Sequence, residues 1–417
     1  MDPITQQAAL GAAGAGGDDP LYADDVFSAF LYQGNGGSQS INLGLNLAGE
    51  GGLTINRTLG AGSWRWTDTE RGNTKRLSSD STASENTDSG GTTFTSTGFS
   101  MGGAGDYNDS GTDFISYSFV KAPGFFDVVT YTGNGVAGRT IAHNLGSEPG
   151  MIICKSVSSS NNWPTYHRSL GATKVTNLNS SDNTYTLSNR WNNTAPTSSV
   201  FTVGDHDSVN QNGVTYVAYI FAHDDQSFGE NENESIIACG TYTGNSPNPK
   251  EINLGWEPQW LFIKRSDGSA PWLVMDTMRG IYSDKTEGYL NFASTSSEGT
   301  TSIYNGADVT PSGFNATGNG GWWANNGSGT YIYMAIRRPH KKPETGTKVY
   351  KSYRYAGSGS QVYRTVSFPV DALLTQRTSS GNPYFLDRMR GGYQYQLTAS
   401  NNNEGTQTTA IHYFGND

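Results

Sequence analysis

Apolar and polar positions alternate in short runs along most of this chain, and the runs recur in the same order. Phe27-Ser-Ala-Phe-Leu-Tyr32 alternates and then meets Gln-Gly34-Asn35. Val128-Val-Thr-Tyr131 meets Thr-Gly133-Asn134, and Gly240-Thr-Tyr242 meets Thr-Gly244-Asn245. Period-two alternation bounded by Gly and Asn predicts a half-buried strand entering a tight turn. A second alternating run follows each opening, at Ile41–Leu47, Ile141–Leu145 and Ile252–Leu254. Denser apolar runs come next: Leu53-Thr-Ile-Asn-Arg57, Met151-Ile-Ile-Cys-Lys155 and Trp260-Leu-Phe-Ile-Lys264. Each unit closes on another strand-like run, Phe114–Phe119, Tyr216–Phe221 or Tyr331–Ile336. Residues 73–93, rich in Ser, Thr and Asp, predict an exposed loop.

The period of about 100–113 residues exceeds the roughly 20–50 of solenoid repeats. Units of that size can bury their own core, and seven or eight short strands per unit predict an all-β fold of tandem β-sandwich domains. A small Greek-key barrel is the alternative. The expected division is an extended N-terminal arm over 1–24, repeats over 25–123, 124–230 and 231–343, and a partial or divergent fourth unit over 344–417. The fourth opens at Tyr353-Arg-Tyr355-Ala-Gly357 and lacks a recognisable closing strand. The links between units are brief and contain proline, which predicts a semi-rigid rod of independent domains.

Composition narrows the chemistry. Charged residues are only 15% and the net charge is -10, so the chain lacks the basic face that nucleic acid requires. No apolar run approaches the roughly 20 residues that span a bilayer, and Met1–Gln7 is unlike a secretory signal. No nucleic acid and no membrane insertion are therefore expected. Cys154 and Cys239 both lie in apolar runs and read as buried free thiols.

Four groups of residues could carry function. An Asp-x-x-Arg-Gly corner recurs as Asp68/Arg71, Asp276/Arg279 and Asp387/Arg390, with His167-Arg168 in its place in the second repeat. Such a pair could bind a sugar or serve as a catalytic acid, but its recurrence favours a fold-defining turn. Asp205-His206-Asp207 and His223-Asp224-Asp225 resemble metal ligands without the spacing that fixes three on one face, so they read as solvated loops. Trp163, Trp272, Trp322 and Trp323 stand among Asn, Gly and Ser. They could stack on glycan rings, or they could plug the ends of the sandwiches. No nucleophile elbow, phosphate-cradling loop or zincin motif occurs, so neither an enzyme nor a cofactor is expected.

Residues Ile4–Gly17 and Tyr22–Ser28 resemble the N-termini of virion structural proteins of marine tailed bacteriophages. Gly240–Asn245, Ile252–Trp260 and Ile336–His340 resemble a domain repeated in their tail-fibre-like proteins. The resemblance implies a non-enzymatic tail-fibre-like appendage, synthesised in the host cytoplasm and located in the phage tail. Its N-terminal arm would dock to other virion tail proteins, and its β-domains would attach to a host-surface glycan or protein receptor. It also implies a homotrimer. A capsid decoration or head-fibre protein and a polysaccharide-degrading tailspike are the alternatives.

Overall fold

The computed structural model describes residues 20–356 except 89, 104–106, 282–287, 301–305 and 318–322. Beyond 356 it describes chiefly 370–376, 382–387, 394–397 and 405–406. The fold is all β, built of antiparallel sheets.

The strands fall into three sets. The first contains β1 (Phe27–Gln33), β2 (Gln39–Asn42), β3 (Gly52–Thr58), β4 (Arg65–Asp68), β5 (Lys75–Arg76), β6 (Asn86–Thr87), β7 (Thr93–Thr95), β8 (Gly98–Met101) and β9 (Asp113–Val120). The second contains β10 (Phe126–Thr132), β11 (Arg139–Ala142), β12 (Met151–Ser156), β13 (Pro164–His167), β14 (Lys174–Asn177), β15 (Tyr185–Thr186), β16 (Val200–Val203) and β17 (Thr215–Phe221). The third contains β18 (Ile237–Thr243), β19 (Lys250–Asn253), β20 (Pro258–Arg265), β21 (Leu273–Asp276), β22 (Gly288–Asn291), β23 (Gly299–Thr300), β24 (Ala307–Thr310), β25 (Gly313–Ala316) and β26 (Thr330–Arg337). Each main sheet places its strands first–last–third–fourth: β1-β9-β3-β4, β10-β17-β12-β13 and β18-β26-β20-β21. A smaller sheet, β2-β8-β7, β11-β16 or β19-β25-β24, belongs to each set. After residue 343, β27 (Ala372–Thr375), β28 (Tyr384–Asp387), β29 (Gln394–Leu397) and β30 (Gly405–Thr406) pair in sequence order.

The Tyr-x-Gly-Asn opening has one physical explanation in all three sets. The tyrosine hydroxyl donates to a loop carbonyl: Tyr32 to Tyr107 at 2.9 Å, Tyr131 to Val209 at 2.8 Å, Tyr242 to Ala324 at 2.6 Å. The glycine lets that loop approach, because a Cβ at Gly34, Gly133 or Gly244 would overlap the carbonyl of Asp109, Gln211 or Asn326. The main-chain N–H of Asn35, Asn134 or Asn245 then donates to a buried Asn side chain, Asn108, Asn210 or Asn325. Each tyrosine also stacks on an aromatic of the closing strand, Phe114, Tyr216 or Tyr331, with centroids 5.0–5.3 Å apart.

The expected rod of self-sufficient domains is not what forms. Both faces of the main sheets are covered. Alternation along β9, β17 and β26 sends Phe119, Phe221 and Ile336 into one shared core with Trp66, Trp163, Trp260 and Trp272. The contacts run in a circle, first set to second, second to third and third to first. Residues 21–341 are therefore a closed ring of three strand sets around one core. A lone unit would leave the inner face of its main sheet in water, and that apolar cost drives closure. The ring is closed where residues 21–25 meet the segment after β26 and the link before β18. Gly229 N–H donates to Leu21 O at 2.8 Å, the Tyr22 ring meets His340 edge-on at 5.1 Å, and Asp25 pairs with Lys341 at 3.5 Å. Ala23 and Val26 are buried, so the last residues of the expected arm, 20–24, belong to the fold. Residues 1–19 lie outside the described residues.

Candidate functional site

The recurrent groups singled out in the sequence converge on the three interfaces of the ring. Asp68 accepts from Arg71 Nε at 2.6 Å and from the Tyr219 hydroxyl of the second repeat at 2.9 Å. Arg71 reaches Glu85 at 3.0 Å. The third corner repeats this arrangement. Asp276 accepts from Arg279 Nε at 2.7 Å and from the Tyr117 hydroxyl of the first repeat at 2.7 Å, and Arg279 reaches Glu298 at 3.0 Å. Burial alone would lower the guanidinium pKa values. Asp68, Tyr219 and Glu85 outweigh it at Arg71, and Asp276, Tyr117 and Glu298 at Arg279, so both are held above their ordinary range. Burial also pushes the Tyr117 and Tyr219 hydroxyls well up.

The second corner is different and its partner differs with it. His167 occupies the place of Asp68 and Asp276 at the end of its strand. Its Nε2 lies 3.1 Å from Tyr333 O, and its Nδ1 accepts from Ser169 N–H at 3.2 Å. That is a neutral ring with the proton on Nε2. Burial lowers its pKa to about 4. The residue facing it in the register of Tyr117 and Tyr219 is Met334, an apolar neighbour suited to an uncharged corner. Asp387 ends β28, while Arg390 lies outside the described residues.

Two further triads cross the interfaces, a set of cations not singled out in the sequence and a set of tryptophans whose place between repeats the sequence did not show. Arg57, Lys155 and Lys264 are fully buried cations at the ends of β3, β12 and β20. Arg57 donates to Ser294 O at 2.7 Å and to Ser296 O, Lys155 to Thr82 O at 3.0 Å, and Lys264 to Ser181 O at 3.3 Å. Each acceptor is main chain of the adjoining repeat. Burial lowers both lysines to about 8. Trp64, Trp163 and Trp272 form the second triad. Their indole N–H groups donate to Asn291 O at 2.7 Å, Ser81 O at 2.9 Å and Asn177 O at 3.0 Å, again across the interfaces.

These positions correct one expectation. Trp163 and Trp272 are 0% and 1% exposed, so neither can stack on a sugar. Asn and Ser flank them in sequence, but the next repeat in the ring covers them. Trp323 is half-buried and meets Tyr289 edge-on at 5.0 Å, while Trp322 lies outside the described residues.

The first histidine–aspartate cluster holds a turn, and the second ties the end of the second repeat to the opening strand of the third. His206 Nδ1 accepts from Ser208 N–H at 3.0 Å, and His223 Nδ1 accepts from Cys239 N–H at 3.0 Å. Among the described residues no group of three or more His, Cys, Asp or Glu could hold a metal ion. Asp276 is fully buried behind Arg279 and Tyr117, which leaves it no route to a substrate. Cys154 and Cys239 are buried free thiols, and burial pushes Cys154 up to about 12.

A cavity opens to solvent on the first repeat. It measures about 210 Å³ and is lined by Arg65, Arg76, Asp80, Asn86 and serine hydroxyls including Ser63 and Ser78. It lies on the first repeat, beside the segment that carries Ser81 and Thr82 to the second.

The family described as Domain of unknown function (DUF7483) matches residues 23–339. The chain belongs to that family. The span of the DUF7483 match coincides closely with the ring, from the helix Ala23–Val26 to the end of β26. One family match thus encloses all three sandwiches, as their common core would require. No curated protein matches the chain.

Proposed function

We propose that this chain is a virion structural protein of a tailed bacteriophage, a non-enzymatic tail-fibre-like appendage. In this reading the ring is a rigid head that presents its outer loops to the host surface. Residues 1–19 attach it to other tail proteins. One observation carries the reading: the recurrent charged and aromatic groups are spent on interfaces between repeats. That is the economy of a scaffold, in which loops rather than a catalytic cleft are free to vary. The resemblance of the N-terminal sequence to marine phage virion proteins supplies the class. The homotrimer implied by that resemblance is assigned to the segment beyond residue 343, where Tyr350, Tyr353, Tyr355 and Leu374 expose apolar surface.

Deleting residues 2–19 tests the attachment. The truncated protein should fold with an unchanged melting temperature and fail to enter virions, and normal incorporation would refute the role. A second reading is a capsid decoration or head-fibre protein, for which a rigid closed ring serves equally well. Gold labelling of particles separates the two, since label on the capsid faces excludes the tail. A tailspike that cleaves polysaccharide requires an accessible carboxylate pair. Release of reducing ends from host envelope glycans would establish it in place of the non-enzymatic reading.

A further inference from the structure

The three repeats share one scaffold, so a position at which a single copy departs from the other two is informative. Arg65 opens β4, where β13 and β21 begin with Pro164 and Leu273. Strand pairing places Arg76, Val175 and Tyr289 at one further common position. Leu273 is buried, Tyr289 packs on Trp323, and Val175 is buried. Two repeats therefore fill this place with apolar side chains. The first repeat sets two guanidinium groups there and keeps a polar cavity open.

We propose that this cavity binds a carboxylated sugar unit, a hexuronate residue of a surface glycan. The site deepens the host-attachment reading and rests on it for its biological ligand. Arg65 lies 4.9 Å over the Tyr107 ring and 3.8 Å from Asp88, and Arg76 lies 3.3 Å from the same carboxylate. Both cations are thus held in place before a ligand arrives. The opposite wall, residues 78–86, is anchored from its far side. Ser79 Oγ donates to Phe292 O at 2.9 Å, Thr82 O accepts from Lys155, and Glu85 N–H donates to Val157 O at 2.9 Å. A wall fixed by both neighbouring repeats loses little freedom on binding.

The lining selects the ligand. At about 210 Å³ the cavity is smaller than the roughly 300–1,000 Å³ of drug-sized sites, which suits a single sugar ring. Serine hydroxyls and Asn86 match ring hydroxyls, and the guanidinium pair matches a planar carboxylate. Asp80 and Asp88 stand beside the arginines and offset their charge, so the site favours a singly charged carboxylate over a doubly charged phosphate.

Saturation-transfer NMR on the full chain, with glucuronate, glucose and inorganic phosphate as separate probes, tests the site. Glucuronate should bind with a Kd on the order of millimolar, as expected of a single sugar. It should bind at least tenfold tighter than glucose, and phosphate should not displace it. Arg65→Leu should abolish binding. Should that variant fail to fold, Arg76→Gln and the rim change Ser84→Tyr, which leave the buried residues intact, should each weaken binding at least fivefold. Equal binding of glucose, displacement by phosphate, absence of binding, or binding unaffected in Arg76→Gln and Ser84→Tyr would overturn the site. Gold labelling on the tail alongside any of those results would leave the appendage reading standing without it.

Discussion

Replacing Tyr117 by Phe removes one oxygen from the first repeat and should loosen all three. The hydroxyl donates to Asp276 Oδ2 at 2.7 Å and accepts from Arg279 Nη2 at 3.0 Å, both in the third repeat and both buried. The ring itself stays packed between Trp64 and Trp260, at 6.3 and 5.9 Å, so no cavity opens. A hydrogen bond to a charged group contributes about 1.5–3 kcal/mol, and a buried partner left unpaired adds its desolvation cost. Arg279 keeps Glu298 and Val274 O, which limits the loss. The expected cost is about 2–4 kcal/mol. Native-state hydrogen exchange reads where that cost appears. In one cooperative unit, the slowest amides of β12 and β17, in the second repeat and touching neither altered group, should exchange roughly 30- to 700-fold faster. Acceleration confined to the first and third repeats, or a change in stability below about 0.5 kcal/mol, would refute the shared core.

Other tests follow from the same contacts. His167 stays neutral in the folded chain down to about pH 4, whereas the unfolded ring takes its proton near 6.5, so the unfolded state binds more protons between those values. Stability should fall as pH drops from 6.5 to 4, by up to about 3 kcal/mol from this group, and His167→Gln should remove that share of the loss in thermal melts. An acid profile identical in the variant would show that the ring does not titrate as placed. Lys264→Met removes the donor that Ala270 O and Arg265 O share and one of the two bonds to Ser181 O, which keeps the Ala270 N–H, and should cost about 2–4 kcal/mol in urea unfolding. An unchanged midpoint would mean the lysine does not bind across the interface. Cys154 and Cys239 lie in different repeats of one core, so Ellman's reagent should modify both at a single rate set by global unfolding. Early reaction of either thiol would indicate independent opening of its repeat.

The strands and the Tyr-x-Gly-Asn turn were legible because both are local. Alternation sets which face a residue occupies, and Gly-Asn marks a turn, although the loop that the glycine admits lies far along the chain, just before the closing strand of its repeat. The Asp-x-x-Arg corner was legible as structure for the same reason, since Asp68 and Arg71 pair within one turn. The ring was not legible. Lys155 and Lys264 end apolar runs and resemble solvated strand ends, because their partners are main-chain carbonyls and carry no sequence signal. Trp163 and Trp272 looked exposed because their polar neighbours describe their own loops, while the surface that buries them comes from another repeat. Recurrence held the missing information. A tryptophan one residue before the fourth strand and a cation late in the third occur in all three copies, as scaffold contacts must. The Arg65–Arg76 pair occurs in one, and a pattern that does not repeat is invisible to a reading built on repeats.

Closure through Leu21, Tyr22 and Asp25 brings the incoming and outgoing polypeptide to one spot, against Gly229, His340 and Lys341. The polypeptide therefore enters and leaves the ring at one point. Topologically the ring has no first lobe. Joining Lys341 to Leu21 across that junction and cutting instead between Lys121 and Phe126 would give a permuted gene for an unaltered circle of residues 21–341. Mechanical load applied at Leu21 and Lys341 would be borne by the seam at that point before it reached the inner packing.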